Sequence, residues 1–201
     1  MKMTFKAKKT AILFVQYQNE FLSEGGKYHS MQDFAELSNL IENSVDLADR
    51  AREKGITVIH VAHVSRPKQK GIIKPWEEAV NSIGGVLSES TWNADFIDAM
   101  KPHPGEIVIH KHTLDVFLST DLQEILAKKG VEFLAVAGLL THCCSVESTI
   151  RSAYQRDYRF IGLKDCTAAK TKERFLFVEE TWPWLCKPMT KNRFLASVRR
   201  Y

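Results

Sequence analysis

Cys143 and Cys144 stand side by side after the apolar run Val131 to Leu139, at the start of a segment, Cys143 to Arg156, with the spacing of an amphipathic helix. A cysteine at a helix N-terminus meets unpaired backbone amides and the positive end of the helix dipole. Both favour thiolate over thiol and hold an oxyanion formed beside it. Taken alone, that placement more often marks a small buried residue than a nucleophile. Lys111 shifts the balance, because it follows another strand-like run, Glu106 to His110, and an ammonium near a thiol stabilises its anion and any charge developing on a substrate. Together the two residue types support attack by sulfur on a carbonyl-type carbon.

The elements that must position them alternate along the chain. Strand-like runs at Ala11 to Val15, Ile56 to Val61, Glu106 to His110, Val131 to Leu139 and Tyr158 to Leu163 are separated by helical patterns at Met31 to Lys54, Thr120 to Lys129 and Cys143 to Arg156. Strand and helix in repetition predict an α/β fold: three αβα layers around a mostly parallel, Rossmann-like central sheet, in one domain over residues 1–201. Ligands of such sheets bind beyond the carboxyl ends of the strands. Gln16 to Glu20, Lys111, Thr141 to Cys144 and Asp165 fall there. Between the second and third strands, Ala62 to Pro104 holds the basic Ser65 to Lys70 stretch and the Gly84-Gly85 pair, suiting a binding loop or a surface insertion. Thr171 to Tyr201 is the least patterned part. Its segment Thr181-Trp-Pro-Trp-Leu-Cys186 suits core packing or a subunit interface equally.

Composition narrows the function classes. The chain has 201 residues, 44% hydrophobic and 26% charged, enough to bury a substantial core. A net charge of +4 is spread thinly, with no basic stripe interleaved with aromatics, so no nucleic-acid partner is expected. No apolar run approaches the roughly 18 residues that a membrane span needs, and the N-terminus lacks the pattern of a signal peptide. Four cysteines, two of them adjacent, make a poor disulfide framework and fit reduced thiols in a cytoplasmic protein. A thiol redox sensor is disfavoured, because there is no Cys-x-x-Cys pair.

Three segments in order resemble the isochorismatase-like, nicotinamidase-related cysteine hydrolases. Ala11-Ile-Leu-Phe-Val-Gln-Tyr-Gln-Asn-Glu-Phe21 resembles the opening strand and its Asp-x-Gln-x-Asp-Phe type motif. Pro104-Gly-Glu-Ile-Val-Ile-His-Lys111, followed by Phe117, Thr120 and Leu122, resembles the lysine segment. Val136-Ala-Gly-Leu-Leu-Thr-His-Cys-Cys144, with Asp165-Cys-Thr-Ala168 downstream, resembles the nucleophile segment. The resemblance implies that Cys144 attacks a small amide (C–N) or related substrate, that Lys111 supports the thiolate, and that a cis peptide joins Leu139 and Leu140. Backbone amides near Leu140 and Cys144 then form the oxyanion hole. Cys143 is the rival nucleophile, and its spacing from Gly138 and Thr141 is less suitable.

One position departs from the pattern. Gln16 stands where hydrolytic members carry an aspartate that takes and returns the thiol proton, and an amide can only donate or accept hydrogen bonds. Glu20, Asp115 and Glu147 are the carboxylates near enough in sequence to stand in. The resemblance thus leaves two readings, a working hydrolase and a small-molecule-binding protein with attenuated turnover. Nicotinamidases carry Asp-x-His after the second strand, whereas this chain has His60-Val-Ala-His63, two histidines on opposite faces of a strand, so no metal and no cofactor is expected. Tyr17, His63, Trp92 and Phe117 are candidate pocket walls. Relatives of this fold form dimers or tetramers, which implies a homo-oligomer.

Overall fold

A strand buried on both faces of a parallel sheet reads as a continuous apolar run, and Thr10–Val15 and Phe133–Leu139 are buried at every residue. The computed structural model describes residues 4–30, 37–65, 87–141, 144–169 and 171–200. Its strands are β1 (Phe5–Lys6), β2 (Thr10–Val15), β3 (Thr57–His63), β4 (Ile107–Lys111), β5 (Phe133–Leu139), β6 (Arg159–Ala168), β7 (Lys187–Met189) and β8 (Val198–Arg199). Six of them form one sheet in the order β4-β3-β2-β5-β6-β7, parallel throughout, while β1 and β8 pair separately.

The helices are α1 (Asn19–Leu22), α2 (Lys27–Ser30), α3 (Leu37–Lys54), α4 (Leu122–Lys128), α5 (Ser145–Tyr154), α6 (Lys172–Thr181) and α7 (Lys191–Ser197). They cover the sheet on both faces. Leu40, Leu47 and Ala51 of α3 with Phe194 and Leu195 of α7 pack on one, against Ile12, Phe14, Ala135 and Ile161. Leu122 and Leu126 of α4 with Val146 and Ile150 of α5 cover the other, against Leu13, Val15, Ile59 and Val136. The layering is the αβα arrangement expected from the sequence. Burying each such side chain contributes about 1.5–3 kcal/mol relative to exposure.

Several expectations shift. The helix expected from Met31 is described from Leu37, its earlier residues lying outside the described ones, as do the 66–70 stretch, Gly84, Gly85 and Cys143. Its stop holds, with Gly55 at φ +74°, the left-handed conformation that ends helices. The last long strand runs on to Ala168, past Leu163, so Asp165 lies within β6 and not beyond it. The C-terminal segment is structured, and β7 went unread because it is a three-residue edge strand containing Pro188, tolerated only where one side needs no ladder partner. Its aromatic pair divides: Trp182 is buried against Gly162, where a Cβ would come within 2.2 Å of the indole, while Trp184 is 84% exposed.

Candidate active site at the carboxyl edge of the sheet

Strand β2 lies between β3 and β5, so chain connections diverge beyond its carboxyl end, the place where open parallel sheets bind ligands. Gln16 occupies that point with φ 61° and donates its backbone N–H to Val61 O at 2.8 Å. A left-handed glutamine is a sparsely populated conformation that the surrounding sheet must enforce. Beside it, Gly138 faces Val15 in the ladder, where a Cβ would sit 2.0 Å from Val15 O, so only glycine fits. The Gln16 side chain is buried, and its amide makes no hydrogen bond to any described residue.

Lys111 ends β4 and is wholly buried. The parallel register sets it opposite His63, the last residue of β3. Its ammonium nitrogen Nζ lies 3.1 Å from His63 Nδ1, 2.9 Å from Thr113 O and 2.8 Å from Ser145 Oγ. Burial brings its pKa down to about 7, although Cys144 and Asp115 pull upward. Cys144 is the N-cap of α5, half-buried, a thiol and not half of a disulfide. Ser145, the next residue, therefore ties Lys111 to the start of the helix. The Leu139–Leu140 peptide, just upstream, is cis.

The other candidates fall in different places. Glu20 is fully buried, but Tyr28 N (2.8 Å) and Asn93 Nδ2 both donate to its carboxylate, which anchors the loop. Asp115 Oδ1 accepts from Phe117 N at 2.8 Å, Glu147 pairs with Arg151 at 2.7 Å, and Asp165 Oδ1 accepts from Lys191 N at 2.8 Å. Of the four candidate walls, His63 touches Lys111. Tyr17 turns into the α3 side of the core, its hydroxyl 2.5 Å from Ser44 Oγ and 3.2 Å from Cys166 O. Phe117 stacks on Tyr158 beneath the Arg156 guanidinium, and Trp92 is half exposed over Gly25.

Three contributors have no assignment from the sequence alone. Ser145 had a signal in its adjacency to Cys144. Gln18 is fully buried and binds the His63 backbone on both sides, donating to His63 O at 2.9 Å and accepting from His63 N at 2.7 Å. Tyr28, on α2, has its hydroxyl pKa raised by burial, then by Cys144 and Glu20, which places the ring within electrostatic reach of the thiol. Among the described residues no group of three or more His, Cys, Asp or Glu is arranged to hold a metal ion, and no helix is long and apolar enough to cross a membrane.

Known proteins resemble this chain in sequence and in fold. Ureidoacrylate amidohydrolases of Rhizobium rhizogenes and Pantoea ananatis are 28% identical over 180 residues and 29% over 178, covering 82% and 81% of this chain and 72% and 70% of theirs. A cysteine hydrolase from Pseudomonas syringae superposes with a TM-score of 0.87 at 19% identity, covering 98% of this chain and 97% of its own. N-carbamoylsarcosine amidase from Thermoplasma acidophilum does so at 0.75 and 22%, covering 92% and 97%. The isochorismatase domain model matches residues 10–177, the stretch that carries Gln16, the buried lysine and the cysteine at the helix start, and the chain belongs to that family.

Proposed function

We propose that the protein hydrolyses the C–N bond of a small amide, with Cys144 as nucleophile and Lys111 as its electrostatic support. The observation that carries this reading is the wholly buried Lys111, joined through Ser145 to the helix start that Cys144 caps. Sulfur attacks the carbonyl carbon, the oxyanion is held by backbone amides near Leu140 and Cys144, the amine departs, and water releases the acid from the thioester. Two of the related proteins are named for ureidoacrylate and N-carbamoylsarcosine, both ureido compounds, which favours a ureido or N-carbamoyl acid as substrate. The reading takes residues 1–201 as one domain and includes self-association, supported by the exposed Leu176, Phe177 and Trp184.

A binding protein with attenuated turnover is the second reading, supported by Gln16, whose amide cannot shuttle a proton. Turnover of a panel of ureido and simple amides by wild type, Cys144→Ala and Gln16→Asp separates the two. A working hydrolase turns over in wild type and loses about 10³-fold or more in Cys144→Ala. If only Gln16→Asp turns over, gaining about 10²- to 10⁴-fold, the protein is a binder on a hydrolase scaffold.

A further inference from the structure

Lys111 ends β4, one edge strand of the sheet, and the opposite edge is β7. There β7 pairs with Ile161, Gly162 and Leu163 alone, and Thr190 then turns the chain into α7. Lys164 is the first residue of β6 past that pairing, so no described strand covers it on the β7 side. The short edge strand leaves a cavity of about 500 Å³ between β6 and the start of α7, lined by Lys164, Pro188, Met189, Thr190 and Arg193. Small-molecule sites span roughly 300–1,000 Å³, so the space suits a small organic ligand.

The lining is apolar below and cationic at the walls. Met189 is buried and Pro188 half-buried, while the exposed Lys164 and Arg193 bring two positive charges to one space from β6 and α7. Paired cations at a concave surface raise the local potential for an anion. The carboxylates of the adjoining residues are engaged elsewhere: Asp165 Oδ1 accepts from Lys191 N at 2.8 Å, and Asp46 takes Lys191 Nζ and, at 3.1 Å, Arg50. Among the described residues none bonds the Arg193 guanidinium. Thr190 Oγ1 accepts from Arg193 N at 3.4 Å and keeps its own hydrogen to donate. We propose that this cavity binds a small organic carboxylate, the carboxylate held by Arg193, Lys164 and the Thr190 hydroxyl and the apolar body resting on Pro188 and Met189. A planar guanidinium meets a carboxylate with two parallel hydrogen bonds, and the ammonium adds a point charge from the other wall. The floor favours a ligand with an apolar body over a bare inorganic anion, because burying that body adds affinity the ion lacks.

The test is isothermal titration calorimetry of the whole protein at low ionic strength, wild type against Arg193→Gln and Lys164→Gln, with benzoate, acetate, inorganic phosphate and benzyl alcohol as probes. Benzoate is expected to saturate wild type with a Kd of about 1 mM, and each substitution to weaken it about tenfold. Acetate and phosphate lack the body and benzyl alcohol lacks the charge, so each is expected to bind wild type about tenfold more weakly than benzoate. Both substituted side chains are exposed, so the variants should keep the wild-type midpoint in urea unfolding. Benzoate that binds wild type and both variants equally sits elsewhere on the molecule and overturns the proposal, as does the absence of saturable binding. Acetate or phosphate binding as tightly as benzoate overturns the ligand class. The hydrolase reading stands or falls separately, because it uses none of these residues.

Discussion

Strands β3 and β4 carry two buried polar clusters, one on each face, and the two treat charge in opposite ways. On the α3 face, Glu106 accepts from Arg52 Nε (2.8 Å), Arg52 Nη2 (3.1 Å), the His103 backbone N–H (2.8 Å) and lies 2.9 Å from His60 Nε2. Burial works against the Glu106 carboxylate, yet these donors hold its pKa down to about 2. On the α5 face, Lys111 has dipoles around it and no ion pair with a described carboxylate, and its pKa falls to about 7. A matched charge keeps one state at every physiological pH and serves the fold. An unmatched one sits where it can exchange a proton, which is what chemistry at neutral pH needs.

Replacing Lys111 tests the contrast most severely, because activity and stability should move in opposite directions. Lys111→Met is expected to lower turnover by about 10²- to 10³-fold. Its folded pKa lies below the ordinary 10.5, so the unfolded chain holds the extra proton between about 7 and 10.5. That cost of folding is complete below about pH 7 and fades as pH rises toward 10.5. Urea unfolding should find the variant about 1–3 kcal/mol more stable than wild type at pH 6, with the gain shrinking by pH 10. A variant less stable at pH 6 makes Lys111 a structural charge and ends the comparison.

The matched cluster should respond the other way. Arg52→Ala strips the principal donor from Glu106 and is expected to cost about 1–3 kcal/mol in urea unfolding, with turnover per folded molecule unchanged. Because the folded pKa of Glu106 is depressed, its contribution is complete above its ordinary value of 4.5 and is lost as pH falls toward about 2. Wild type should therefore lose stability through that window, and Arg52→Ala should lose less. Equal acid slopes in the two proteins place the acid sensitivity elsewhere.

Which of these groups could be read from sequence follows from what fixes them. Lys111 and Cys144 are set by local elements, a strand end and a helix start, and both patterns are visible in one dimension. The His63–Lys111 contact depends on the register of β3 against β4, which no single strand encodes, although opposite faces for His60 and His63 follow from alternation alone. The layers were legible because buried parallel strands are continuously apolar, whereas β7 was too short and α6 carries its apolar residues as one run without helical spacing, Leu176 and Phe177 outward and Val178 inward.

Tyr17 shows where alternation misleads, and it carries the smallest expected effect. Strict alternation from β2 puts Val15 and Tyr17 on the α5 face, in line with the site. The left-handed backbone at Gln16 breaks the period, so Val15 packs toward α5 while Tyr17 joins Phe14 on the α3 side, the rings 5.8 Å apart. The hydroxyl is spent on Ser44 and the Cys166 carbonyl. Tyr17→Phe should therefore cost about 0.5–1.5 kcal/mol in unfolding and leave KM unchanged. A several-fold rise in KM at unchanged stability would mean that substrate reaches past Gln16 to the α3 face, so that the two faces of the sheet do not divide fold from chemistry as cleanly as the two clusters indicate.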